Sequence, residues 1–221
     1  MSNPPNEEQL RGIAAQLANL LGEAGVKMGH AMNDSNTGMV LRTIAALEVA
    51  DGDRILELGH GNCTHLSALF NGSSDVHYHG LEISHTMHEA SVALNCPFVD
   101  EGRAAFSLYD GSGLPFPDGH FTKLFTVNTL YFWPDPVAML REMHRVLRPG
   151  GVACITFADR AFMAQLPFTR YGFTLYDPDD FTRLVEATAF GAPTYFSERE
   201  MVTSKDGQQL ERLYHVSMMV V

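Results

Sequence analysis

The residues best suited to chemistry sit where apolar runs end. Glu57 lies inside the run Ile55-Leu56-Glu57-Leu58 and is followed at once by a loop with two glycines, Gly59 and Gly61. Glu82 closes the next apolar run, Asp110 and Gly111 close a third, and Asn128 closes a fourth. A glycine turn between a strand and a helix lets a ligand approach the backbone, and the helix N-terminus favours anions. Three ligand classes compete for such a loop. A Walker loop requires a Gly-Lys-Ser/Thr ending, which is absent. A dinucleotide site wants a third glycine, but the run is Gly59-His60-Gly61-Asn62-Cys63-Thr64, and Glu57 would turn a negative charge towards a pyrophosphate. The third class is a phosphate-free, cationic ligand, which an acid beside the loop suits. Glu57 also fits as an acceptor that shapes the loop through backbone N–H bonds.

Further candidates surround these. Tyr131, Phe132 and Trp133 follow the fourth run, at the end of a strand where ligands collect in open α/β sheets. Tyr131 and Trp133 are expected to line a substrate pocket and Phe132 to pack. His30, Met32, Asn33 and Asn36 precede the first strand; His30 is the obvious base among them. His60, Cys63 and His65 offer metal-ligand chemistry, but an ion there would compete with the glycine loop. His77, His79, His85 and His88 lack carboxylate partners and are read as solvated. No metal site is expected.

The elements that hold these residues can be read from periodicity. Leu10, Ile13, Leu17, Leu20 and Leu21 predict a helix over 7–24. Glycines and Asn/Asp at 25–36 are expected to break it, with a second helix capped at Ser35 and running to Leu47. Strands are expected at 53–58, 76–82, 104–109, 121–127 and 151–158, with helices at 63–70, 85–95 and 136–147 between them. Asp135 caps the last of these and Pro136 suits its first turn. A helix is expected from Asp180 to Ala189, then two strands joined by a turn near Lys205-Asp206-Gly207. Alternation of this kind reads as α/β, a parallel sheet covered on both faces.

Bulk properties narrow the partners. A net charge of −11 with no basic run excludes nucleic acid as a primary partner. No stretch is long and apolar enough to insert stably in a membrane, and the N-terminus lacks a secretory pattern. Three well-separated cysteines fit a reduced, cytoplasmic chain. The expected partner is a small molecule, with the chain a monomer or homodimer.

Four segments in order carry a resemblance. "ILELGHGNC", "HGLEIS", "LYDGSGLPFPDGHF" and "FTVNTLYFWPDPVAMLREMHRVLRPGGV" resemble the class I S-adenosylmethionine-dependent methyltransferases, in particular the small-molecule branch typified by ubiquinone and menaquinone biosynthesis. Cys63 stands where the family motif has its third glycine. The resemblance implies S-adenosyl-L-methionine as cofactor, with Glu57, Gly59 and Gly61 at the loop. It implies Glu82 on the ribose hydroxyls, Ile83 on the adenine face, Asp110 and Gly111 at the adenine edge, and Asn128 against the cofactor. It implies a doubly wound, Rossmann-like, seven-stranded and mostly parallel sheet of order 3-2-1-4-5-7-6, the last strand antiparallel. Residues 1–34 then form a helical lid segment, and 35–221 the catalytic domain with a substrate cap at 160–190. The reaction is in-line methyl transfer to a small acceptor, with His30 and Tyr131 as candidate catalytic residues. Two other readings are a non-catalytic S-adenosylmethionine-binding regulatory or assembly protein and a nicotinamide-dependent oxidoreductase.

Overall fold

The computed structural model describes residues 5–203 and 209–221. The expected turn at 205–207 lies outside them. Two helices come first, α1 (Glu7–Ala18) and α2 (Gly22–Leu47). Strands and helices then alternate: β1 (Arg54–Leu58), α3 (Leu66–Phe70), β2 (His77–Glu82), α4 (His85–Leu94), a short α5 (Cys96–Asp100), β3 (Ala104–Leu108), β4 (Phe121–Val127), α6 (Pro136–Val146) and β5 (Leu147–Ala158). The last part holds α7 (Arg160–Met163), α8 (Pro178–Glu186), β6 (Thr194–Thr203) and β7 (Gln209–Val220). The sheet order is β3-β2-β1-β4-β5-β7-β6. The first five strands are parallel, and β7 runs antiparallel to both β5 and β6. This is the architecture that the resemblance implies.

Strand alternation sorts side chains into two cores. Leu56 and Leu58 of β1 join Leu140, Met143 and Phe181 on the α6 and α8 face. Ile55 joins Met39, Leu47 and Leu66 on the α2 and α3 face. Glu57 shares the parity of Ile55, so its carboxylate enters the α2 and α3 side, where it is almost fully buried. Helix α6 is as expected: Asp135 accepts from Ala138 N–H as N-cap, and its buried stripe includes Leu140 and Met143.

The expected break at 25–36 is absent. Helix α2 is continuous from Gly22, its N-cap is Leu21, and the boundary drawn between residues 34 and 35 falls inside it. The glycines serve close packing. A Cβ at Gly25 would meet the Leu20 backbone at 2.7 Å, and one at Gly29 would meet Met87 Sδ at 3.0 Å. A Cβ at Gly38 would overlap the Glu200 carboxylate. Helix propensity lost at each glycine, about 1 kcal/mol, is offset by tertiary contact along the sheet. Thr43 and Thr156 hydroxyls, 2.6 Å apart, tie α2 to β5. Ser35 is consequently a mid-helix residue whose hydroxyl donates to Met32 O.

Candidate active site

The loop after β1 is built on left-handed backbone. Gly59 has φ +69° and Gly61 φ +57°. A Cβ at Gly59 would overlap the Thr129 methyl, whereas one at Gly61 would meet nothing within 4 Å. Gly59 is thus demanded by the fold, and Gly61 leaves room for something else. Cys63, in the third glycine's place, is itself left-handed, with φ +52°. Its thiol is buried and contacts the Tyr78 hydroxyl at 3.4 Å.

Two carboxylates divide the work at this loop, and not as expected. Glu82 shapes it: Oε2 accepts from Gly61 N–H at 2.9 Å, and Oε1 accepts from Ile83 N–H and Ser84 N–H. Burial raises the Glu82 pKa, and the three N–H donors oppose that rise. Glu57 accepts instead from side chains. Its Oε2 takes the Tyr78 hydroxyl at 2.6 Å and His65 Nε2 at 2.8 Å. Burial disfavours the His65 cation, but the Glu57 and Cys63 charges and their hydrogen bonds together outweigh burial and raise the His65 pKa well above its usual range. The acid before the glycines is therefore paired inside the fold. Glu57, Cys63 and His65 do come together, with ligand atoms within 4.8 Å of one another.

A cavity of ≈ 260 Å³ lies between this loop and α2. Glu57, Gly61, His60 and His65 form one wall, and Asn33 and Thr37 of α2 form the other. Asn33 Nδ2 donates to Asn62 Oδ1 at 2.9 Å, linking helix to loop. His60 donates from Nδ1 to Gly61 O, while its Nε2 has no partner among the described residues; burial lowers its pKa to about 4. Ile83, Asp110 and Gly111 stand beyond the loop, at the ends of β2 and β3. Ile83 is exposed, and a Cβ on Gly111 would touch its methyl at 3.6 Å. Asp110 is exposed and accepts from Ser112 N–H and Oγ–H. None of these three lines the cavity.

A second cavity, of ≈ 520 Å³, lies on the other side of α2. Phe132, Phe162, Phe168 and Phe173 give it an aromatic wall, and Glu200 and Arg212 from the β6–β7 hairpin close it. Asn128 sits at its edge in the left-handed region, φ +60°, a strained position of the kind found at functional sites. Tyr131 is buried; its hydroxyl donates to Asn128 Oδ1 at 3.0 Å and accepts from Ala158 N–H. Burial raises its pKa far above the usual value, so it is a poor base. Met32 and Asn36, one turn apart on α2, line both cavities.

Two expected residues fall elsewhere. His30 is exposed and lines neither cavity, because the continuous helix turns it outward. Trp133 belongs to the core beside α6 and lines neither cavity, while Phe132 lines the larger one; the 3₁₀ turn Leu130–Phe132 reverses the expected roles. Glu200 and Arg212 were missed. The signal was present: Arg212 falls in the two-residue alternation Leu210, Arg212, Tyr214, Val216, a charge on a buried face.

A family model described as a methyltransferase domain matches residues 56–155. The uncharacterized methyltransferase YdaC of Bacillus subtilis (strain 168) is 30% identical over 134 residues, which are 60% of this chain and 71% of that protein. The chain belongs to the S-adenosylmethionine-dependent methyltransferase family. A second relative is the 27-O-demethylrifamycin SV methyltransferase of Amycolatopsis mediterranei (strain S699), 29% identical over 54% of this chain and 44% of that enzyme. Among solved structures, a chain of the complex between the Haloferax volcanii Trm112 methyltransferase activator and a methyltransferase superposes with TM-score 0.73 at 16% identity, covering 99% of each chain. A SAM-dependent methyltransferase from Aquifex aeolicus gives TM-score 0.60 at 14% identity over 86% of this chain and 92% of that one. The structural likeness establishes the fold. The cofactor of this methyltransferase is S-adenosylmethionine, and the open, left-handed Gly61 beside a buried acid is a cradle that fits it. No helix among the described residues is long and apolar enough to cross a membrane.

Proposed function

We propose that this methyltransferase holds the methionine half of S-adenosylmethionine in the cavity under α2 and moves its methyl group to a small, largely apolar acceptor in the aromatic cavity. The observation that carries the reading is the shared wall: Met32 and Asn36 border both spaces, so a donor in one faces an acceptor in the other. The sulfonium supplies an activated methyl group, so the protein's task is alignment and exclusion of water. Gly59 and Gly61 bring the backbone close to the cofactor. Glu82 already accepts three N–H donors, and a carboxylate offers about four lone-pair sites, so a ribose hydroxyl takes the remaining one. Ile83 covers one adenine face, and Asp110 with Gly111 meets its edge. Residues 1–34 serve as the cover of the cofactor end, through Leu20, Gly29, Met32 and Asn33. Segment 160–190 caps the acceptor through Phe162, Leu166 and Phe173. The name of the rifamycin enzyme among the relatives supports a small acceptor bearing oxygen. A non-catalytic cofactor-binding role would leave no reason for an open cavity of ≈ 520 Å³ beyond the shared wall.

The test is methyl transfer from isotopically labelled S-adenosylmethionine to a library of small aromatic hydroxyl compounds, read by mass. Products that disappear when Met163→Trp fills the acceptor cavity support the reading. Cofactor binding without transfer to any member would contradict it.

A further inference from the structure

The polar group at the junction of the two cavities is Asn36, and its orientation is fixed. Arg212 Nη1 donates to Asn36 Oδ1 at 3.0 Å, and Asn128 Nδ2 donates to the same oxygen at 3.3 Å. A guanidinium has no acceptor, so the amide cannot be flipped without losing the Arg212 bond. Arg212 is itself immobile. It is buried, its Nε and Nη2 donate to Glu200 Oε1, and its Nη2 also donates to Ser35 O. Asn128 is held in turn by the Tyr131 hydroxyl on its Oδ1. Asn36 Nδ2 has no protein partner among the described residues, and it is not sealed off as a buried unsatisfied atom. The charged residues bordering the larger cavity are Asp34, Glu200 and Arg212. Glu200 is bound to Arg212, and Asp34 is exposed.

We propose that Asn36 positions the accepting atom, its Nδ2–H donating to an oxygen lone pair, so that the site takes hydroxyl acceptors and rejects ammonium groups. This rests on the function proposed above. A locked N–H donor can be satisfied only by a lone pair, and an ammonium has none. The acceptor hydroxyl first gives its proton to solvent. Its oxygen then forms the new C–O bond while the S–CH3 bond breaks, the bonding pair staying on sulfur to leave neutral S-adenosylhomocysteine. Asn36 holds the oxyanion through that step without taking or giving a proton.

The experiment uses the full chain saturated with S-adenosylhomocysteine, with saturation established separately for each variant, and 4-nitrophenol as probe. Calorimetry reads its binding, and absorbance reads its ionisation. Wild type is expected to bind the phenolate and to lower the probe's apparent pKa. Asn36→Asp keeps the acceptor for Arg212 and Asn128 but replaces the donor with a charge. It should bind the phenolate at least about tenfold more weakly, or 1.4 kcal/mol, and bind benzylammonium better than wild type does. Asn36→Leu should weaken phenolate binding without gaining the ammonium. Equal phenolate binding by wild type and both variants, an unshifted probe pKa in wild type, or no probe binding at all would each overturn the proposal. Failure of S-adenosylhomocysteine to bind wild type would instead overturn the assignment of the cofactor cavity.

Discussion

The two sides of α2 are built from opposite materials. The proposed cofactor side is a short loop of left-handed backbone braced by buried Glu57, Tyr78 and Glu82 and by half-buried His65. The proposed acceptor side is an aromatic wall drawn from distant segments, with one ion pair at its rim. On the first side, ligand-facing groups are also structural groups, so damage there should reach the fold. On the second, side chains face open space, so changes should alter acceptor use and leave stability nearly intact.

The largest expected break of this contrast is His65→Ala. It strips a buried carboxylate of its cationic partner, a loss of about 3–5 kcal/mol in buried pairs. A thermal midpoint lower by roughly 10 °C, at 2–4 °C per kcal/mol for a chain of this size, is expected by calorimetry. A shift under about 2 °C would show that the pair is not structural. His65 is raised in the folded state, so its contribution is complete below the ordinary histidine value and is lost as pH rises through the raised one.

His60 has the opposite sign. Burial pushes it down to about 4, so between there and about 6.5 the unfolded chain binds a proton that the folded chain does not. Stability should fall by roughly 3 kcal/mol as pH drops through that window. Urea midpoints across it should show this acid limb, and His60→Leu should flatten it.

Gly80→Ala comes next. Its Cβ would meet His60 Cδ2 at 2.5 Å and the Tyr78 hydroxyl at 2.9 Å, an overpacking cost of about 1–3 kcal/mol. A urea denaturation midpoint equal to that of wild type would mean the ring moves aside freely. The smallest stability effect belongs to the acceptor wall. Phe132→Leu should shift stability by less than about 1.5 kcal/mol while changing the KM for acceptor, whereas Trp133→Phe should leave that KM unchanged. Steady-state kinetics on both variants would expose an inverted assignment.

The same contrast explains what could be read in advance. Glu57, Gly59, Gly61 and Glu82 lie on two adjacent strand ends, so linear spacing carries their arrangement. The pairing of Glu57 with His65 and Tyr78 in place of loop N–H groups was not legible in that spacing. The acceptor side joins residues as far apart as Asn36 and Arg212, and no local pattern encodes that meeting. Glycines misled at 25–36, because propensity measures the isolated helix and these glycines answer to neighbours such as Leu20 and Met87. His30 and Trp133 were placed by sequence neighbourhood, and the helix phase and the 3₁₀ turn decided otherwise.

The central claim is that the space beside Gly61 holds the cofactor. Calorimetric titration with S-adenosylhomocysteine tests it on wild type and Gly61→Val, with folding of both checked by circular dichroism. The account expects saturable binding by wild type and a loss of at least about 100-fold, near 3 kcal/mol, in the folded variant. Equal binding by both proteins would contradict it.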